Sequence, residues 1–275
     1  MESPRLSPTI AHAVLEQGTL AAWAKHRLLG GAEEPVNRDR ILGRAYHNLL
    51  LEGGNRIEKV DAKDYRAKAA REAEAEALAA GRIPMLTGVH AEAVKACAMW
   101  RDDLLASGFE LEAGDCERRM EWIDFTRELV EVRCSGVPDW TSKDGLQLRE
   151  FKVISGFPSD KTILRVLMNS HALLQHPAYT RAADSTTADQ GGLASFRYVF
   201  LQSVYPFQVR IVQLPGDFAK VAEARWLRAM ATWAKCLAKG VEREHWATRD
   251  VLRIATPGWL LNNEMGLIDD TEEAG

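Results

Sequence analysis

Two carboxylates and an amine stand close together near the middle of the chain: Asp139, Glu150 and Lys152. Asp139 follows Pro138, and Glu150 and Lys152 flank Phe151 in the run Leu148-Arg149-Glu150-Phe151-Lys152. Side chains two apart on a strand share a face, so Glu150 and Lys152 point the same way. Between the acids lies the turn Lys143-Asp144-Gly145 with apolar residues around it, which predicts two antiparallel strands joined at Asp144-Gly145. That hairpin returns Asp139, at the end of the partner strand, to the neighbourhood of Glu150. Paired carboxylates suit a hard cation such as Mg²⁺ or Mn²⁺, which keeps several waters and bridges protein and phosphate oxygens. Such an ion polarises a phosphoryl oxygen and acidifies a bound water, while an adjacent ammonium orients that water or offsets charge on the phosphate. These are the parts of a phosphodiester hydrolase. The same residues on an ordinary surface hairpin would make a simple Glu–Lys pair; the proline before Asp139 and the apolar strand before Glu150 weigh against that reading.

The elements that must position this trio can be read along the chain. Residues 7–29 read as capped helical segments opened by Ser7-Pro8-Thr9 and divided near Gly18, and Gly30-Gly31 ends the unit before a polar loop through Pro35 and Asn37. Residues 39–52 form a helix on which Gly43 and His47, four apart, share a face. Glycine weakens a helix by roughly 1 kcal/mol relative to alanine, so close approach of another backbone is expected at Gly43. By itself His47 reads as a packed, hydrogen-bonded histidine; any further meaning depends on the trio of Asp139, Glu150 and Lys152. Helices are expected over 61–80 and 88–107, the first beginning with Lys63, Arg66, Lys68 and Arg71, a charge run that by itself reads as a solvated face.

Strand signals begin near Cys116, over 116–123 and 129–134, and Pro138 extends the second run toward Asp139. Glu117 or Glu121 either adds an oxygen near the ion or is an exposed strand charge. A helix follows over 159–182, with Ser159 and Asp160 as cap residues and a break at Pro177. A flexible polar loop is expected at 184–193, then strands Phe196–Val204 and Gln208–Leu214 around Tyr205-Pro206-Phe207, and a long helix over 217–239. The fold class is therefore α/β: a mixed central sheet flanked by helices, with an N-terminal helical elaboration. One domain is expected over 1–275, mainly helical over 1–110, with its core over 111–261 and an acidic flexible tail over 262–275.

With 275 residues, 46% apolar and 27% charged, the chain has the composition of an ordinary globular protein. Its net charge of −4 provides no global attraction to nucleic acid, so any such contact needs local basic patches. Cys97, Cys116, Cys134 and Cys236 lack C-x-x-C spacing, which argues against a zinc site or disulfide framework and for buried thiols. No run approaches a membrane span, and the N-terminus lacks a signal-peptide layout, so a cytoplasmic protein with no membrane partner is expected.

Taken together, these motifs resemble the PD-(D/E)xK nuclease superfamily, and from about Ser7 to Trp259 the chain resembles the exodeoxyribonuclease VIII type of phage and prophage recombination exonuclease. The matching features are the early Ser-Pro segment, Gly-x-x-x-His followed by Leu-Leu-Glu at 43–52 and Arg-x-Lys-Ala-Ala-Arg-Glu at 66–72. Cys-Ser-Gly-Val-Pro-Asp-Trp, Glu-Phe-Lys, Gln-x-x-x-Tyr at 175–179, the two late strands and Pro-x-Trp at 257–259 complete the series. The resemblance implies that Asp139, Glu150, His47 and the backbone carbonyl of Phe151 hold Mg²⁺, with Mn²⁺ as the alternative, and that Lys152 assists the water. It puts Glu117 at the family's upstream acidic position, and Gln175 and Tyr179 on a helix that contacts DNA. Arg66, Lys68, Arg71, Lys161, Arg165 and Arg181 are candidates for phosphate contacts. The implied activity is 5′-to-3′ digestion of double-stranded DNA ends by a ring-shaped homo-oligomer, with a single-strand annealing protein as partner, in a bacterial or phage-infected cell. The chain departs from the family in carrying Val137 before the Pro-Asp and Val153-Ile154 after the lysine. An endonuclease of the same superfamily, or a DNA-binding subunit with an idle site, is the rival reading.

Overall fold

Helix-capping chemistry sets the first part of the molecule. In the computed structural model, which describes residues 3–32, 37–187 and 194–247, α1 (Pro8–Glu16) opens on Ser7, whose Oγ accepts the Ile10 amide. Gly18, at φ +93°, separates α1 from α2 (Thr19–Lys25). The Asn37 side chain caps α3 (Arg38–Leu51), the helix that carries His47. β1 (Ile57–Val60) and β2 (Ile83–Leu86) then pair in parallel across α4 (Lys68–Ala79), and α5 (Thr87–Ala106) follows. The N-terminal part thus contains a two-stranded sheet besides its helices.

The remaining strands divide between two sheets. β3 (Gly114–Cys116), β6 (Trp140–Ser142), β7 (Gln147–Ile154), β8 (Ser195–Gln202) and β9 (Val209–Val212) form a mixed five-stranded sheet in the order β3-β6-β7-β8-β9. β4 (Met120–Phe125) and β5 (Glu131–Gly136) form a separate antiparallel pair. The expected continuation of the second strand into Pro138-Asp139 is therefore corrected: β5 ends at Gly136, and the chain changes sheets before β6. The helices α6 (Asp160–Asn169) and α7 (Ala172–Thr187) make the crossover between the parallel strands β7 and β8, and α8 (Gly216–Lys239) closes the described fold. The helix break expected at Pro177 falls instead at Ser170–His171, where Ser170 Oγ accepts the Ala172 amide. Pro177 lies inside α7, and residues 184–187, expected in a loop, continue the helix. The rest of that loop, Pro35, the Pro-x-Trp at 257–259 and the acidic tail lie outside the described residues.

The alternation of β7 sends its side chains into two different cores. Leu148, with Tyr198 and Phe200 of β8, packs against α1, α7 and α8, while Phe151 joins Val199, Leu201, Trp140 and Trp100 against α3 and α5. Covered on both faces, β7 is largely buried, and the polar residues on it must find partners inside the protein. Among the described residues the four cysteines are free thiols, and no helix is long and apolar enough to cross a membrane.

Candidate active site

Strand register brings the two acids together. Trp140 is opposite Arg149 and Thr141 opposite Leu148, so carrying the pairing one residue further sets Asp139 across from Glu150. The Phe151 amide donates to Asp139 Oδ2 at 2.7 Å, which fixes that carboxylate at the strand junction. Lys152, two residues beyond Glu150 on the same face, donates from Nζ to Glu150 Oε1 at 2.7 Å. From the other direction α3 presents His47, whose Nδ1 lies 3.4 Å from Asp139 Oδ1. Gln175 of α7 donates from Nε2 to Glu150 Oε1, and the Tyr179 hydroxyl, one turn on, donates to the Val137 carbonyl at 3.3 Å.

Electrostatics separates the two carboxylates. Burial raises the pKa of Asp139, but His47, Lys152 and the Phe151 amide outweigh it and hold the group below the usual carboxylate range. Glu150 is pushed above that range, by burial first and by the charge of Asp139 second, against the opposing pull of Lys152 and His47. His47 loses basicity to burial and regains more from Asp139, so its pKa is raised. Glu150 Oε2 is buried without a hydrogen-bond partner among the described residues. A carboxylate oxygen left unpartnered beside a second buried acid is the environment in which a hard cation offsets both costs, so the donors present fit Mg²⁺ or Mn²⁺. Among the described residues, however, no three His, Cys, Asp or Glu side chains already form a cluster that could hold an ion.

Glu117 is adjacent to this centre. Its amide donates to the Asp139 carbonyl at 3.1 Å, its φ is +49°, and its carboxyl is raised by partial desolvation and then by Glu52 and Asp139. Glu52, the C-cap of α3, is a neighbour to which the sequence assigns no role, although it closes the Leu-Leu-Glu run that follows His47. His171, one turn before Gln175, is also unforeseen, and it lines the same cavity as Gln175 and Tyr179.

The basic candidates scatter. Arg66, Lys68 and Arg71 are exposed on or just before α4, which packs chiefly on β1 and β2, and Lys68 pairs with Glu72. Lys161 is exposed in the first turn of α6, and Arg165 lines a cavity of about 310 Å³ with Gly43, Val153 and Ser155. Among the described residues Gly43 meets no backbone of another element: an added Cβ would find nothing within 4 Å, so the close approach expected there is not seen. Arg181 is also corrected. Its guanidinium is locked to buried Asp124 through Nε at 2.8 Å and Nη2 at 2.5 Å, and to Glu223 at 2.6 Å, which leaves it a structural role.

No family model matches the chain, and no curated protein sequence matches it. A crystal structure from Eubacterium rectale, of a protein provisionally described as an exonuclease, superposes with a TM-score of 0.54 over 96% of this chain and 94% of its own, at 9% identity. Coverage that is nearly complete on both sides shows a common fold, an α/β architecture with a mixed five-stranded sheet flanked by helices. A second solved structure, SSO0001, reaches a TM-score of only 0.28 at 10% identity, over 75% of this chain and 82% of its own, and adds nothing to that assignment.

Proposed function

We propose that the protein is a metal-dependent deoxyribonuclease, an exonuclease that resects double-stranded DNA ends 5′ to 3′ for recombination. One observation carries this reading: Asp139 and Glu150 are buried together, with Lys152 on one oxygen of Glu150 and the other oxygen unpartnered. Asp139, Glu150, His47 and the Phe151 carbonyl would hold Mg²⁺ or Mn²⁺, with Glu117 as a further oxygen, and the ion would supply an acidified water and a polarised phosphate. Asp139, held anionic by His47 and the Phe151 amide, keeps a fixed negative charge at the centre. Lys152, whose ammonium meets Glu150 at 2.7 Å, would orient the attacking water or meet the scissile phosphate. Gln175 holds the Glu150 side chain from the opposite side, which limits its rotamers.

A ring-shaped homo-oligomer threaded by duplex DNA, a single-strand annealing partner and a cytoplasmic location belong to the same reading. A second reading, a DNA-binding subunit with an idle site, is favoured by the lack of a ready three-ligand cluster among the described residues. Linear duplex labelled at the 5′ or the 3′ end, incubated alongside closed circular DNA with Mg²⁺ or EDTA, separates these readings. The exonuclease releases 5′ label as nucleotides only with Mg²⁺ and leaves circles intact. Nicked circles would mean an endonuclease, and resistance of every substrate would mean the binding subunit.

A further inference from the structure

The cavity of about 310 Å³ beside Gly43 continues from the acid site along two walls. On α3, Asp39, Gly43 and His47 recur every fourth residue and so form one stripe, of which the first two line the cavity. On β7, Val153 and Ile154 line it directly after Lys152. Across from them stand Ser155, Gly156 and Arg165, with Ser203 just past β8. The cleft thus opens beyond the C-terminal ends of the parallel strands β7 and β8, where α/β sheets ordinarily take their ligands.

The features of this cleft are those of a ligand site rather than of packing. Gly43 weakens α3, yet among the described residues nothing packs where its Cβ would stand, so the missing side chain serves the width of the cleft. Arg165 is exposed on the wall and forms no ion pair among the described residues. Asp39, two turns before His47, is the acid of the lining. Two aromatic rings stand beside the opening. Ser203 ties the exits of β7 and β8 together, its amide reaching the Ile154 carbonyl at 2.8 Å and its hydroxyl at 3.3 Å. Phe157, next to Gly156, is 58% exposed, and Tyr205, two residues past Ser203, is 76% exposed with its ring set against buried Phe207. A free inorganic anion would use only the guanidinium and would be opposed by Asp39, and an apolar ligand would use only the rings. A nucleotide uses all of them, with its phosphate, its base N–H or sugar O–H donors and its flat base.

We propose that this cleft seats one nucleotide of a nucleic-acid strand next to the acid site, with its phosphate on Arg165, its base against Tyr205 and Phe157 and a base or sugar donor on Asp39. The proposal rests on the nuclease reading for its place in a reaction, but binding is tested without cleavage. A fluorescent single-stranded oligonucleotide is titrated in EDTA over a range of salt against the full-length wild type, Arg165→Gln, Tyr205→Ala, Gly43→Leu and the control Arg228→Gln on the exposed face of α8. Arg165→Gln should lower the slope of log K against log salt by about 0.7, the share of one phosphate on a single strand. Tyr205→Ala should weaken binding about fivefold or more and leave the slope as it is, because stacking releases no counterion. Gly43→Leu fills open space with a better helix former, so it should unfold no earlier than wild type and still bind more weakly. The control should match wild type. These three losses together support the cleft; wild-type binding by any of the three variants, or no binding by wild type, overturns it. The nuclease reading fails separately. Losses of this pattern in a protein that digests no DNA with Mg²⁺ keep the cleft and reject the hydrolase, whereas digestion by all three variants at the wild-type rate, with unaltered binding, does the opposite.

Discussion

Asp139 and Glu150 are two like charges buried side by side, and each is restrained by named groups. Asp139 is held by His47 and a backbone amide, Glu150 by Lys152 and Gln175, and the remaining strain is concentrated at Glu150 Oε2. On this account Lys152→Met removes the orienting ammonium without removing a ligand. Nucleotide release should fall by about 10²-fold or more, as for loss of a positioned donor, while divalent-ion binding persists; equal rates for both proteins would remove Lys152 from the chemistry. A second buried acid has a purely structural task. Asp124 is 4% exposed, accepts from Arg181, Trp226 Nε1 and the Phe125 amide, and is held below its ordinary pKa because these bonds outweigh the burial that raises it. Arg181→Met strands that carboxylate and should cost about 3–5 kcal/mol in urea unfolding. A depressed folded pKa makes the contribution whole above the unfolded value of about 3.9, and it is lost as pH falls through the lower folded value. The gap between variant and wild type should therefore be widest near neutrality and narrow below about pH 4; a gap independent of pH would contradict the assignment.

At the scale of elements, the turn between sheets depends on a missing side chain. A Cβ at Gly136 would meet Tyr179 Cε1 at 2.3 Å, and Tyr179 in turn holds the Val137 carbonyl just before Pro138-Asp139. Gly136→Ala should destabilise the protein by about 1–3 kcal/mol by overpacking, and Gly136→Ala combined with Tyr179→Leu should recover part of that loss. Strictly additive effects would show that the contact is not the cause. The β6–β7 hairpin was legible in the sequence because Asp144-Gly145 and strand alternation are local signals, and Gly145 does adopt φ +77°. α1 was legible from its Ser-Pro start, and α3, α5 and α8 from the spacing of their apolar residues, which are likewise local signals. The β1–β2 pair was not: four-residue strands paired in parallel across a helix carry no turn signal, and Pro84 argues against strand. Nor was the α6–α7 break, since proline is a stronger sequence cue than the Ser170 hydroxyl that caps the restart. The Arg181–Asp124 bond joins residues far apart in sequence, so Arg181 read as a free surface cation.

For the whole molecule, one sheet separates two cores, and the acid site lies where β6, β7, α3 and α7 meet. Three of those elements were visible in the sequence with their acids in register. The fourth, α7, was blurred by Pro177, although the Gln175–Tyr179 spacing survived. The central claim is that Asp139, Glu150 and His47 create a divalent-ion site, and it can be read without any activity. Calorimetric titration of Mn²⁺ into wild type and into Asp139→Asn, with thermal unfolding of both, measures it directly. The account predicts saturable binding by wild type, stabilisation of about 2.7 kcal/mol at an ion concentration of 100 Kd, and loss of both in the variant. Binding of equal strength in Asp139→Asn, or none in wild type, would contradict it.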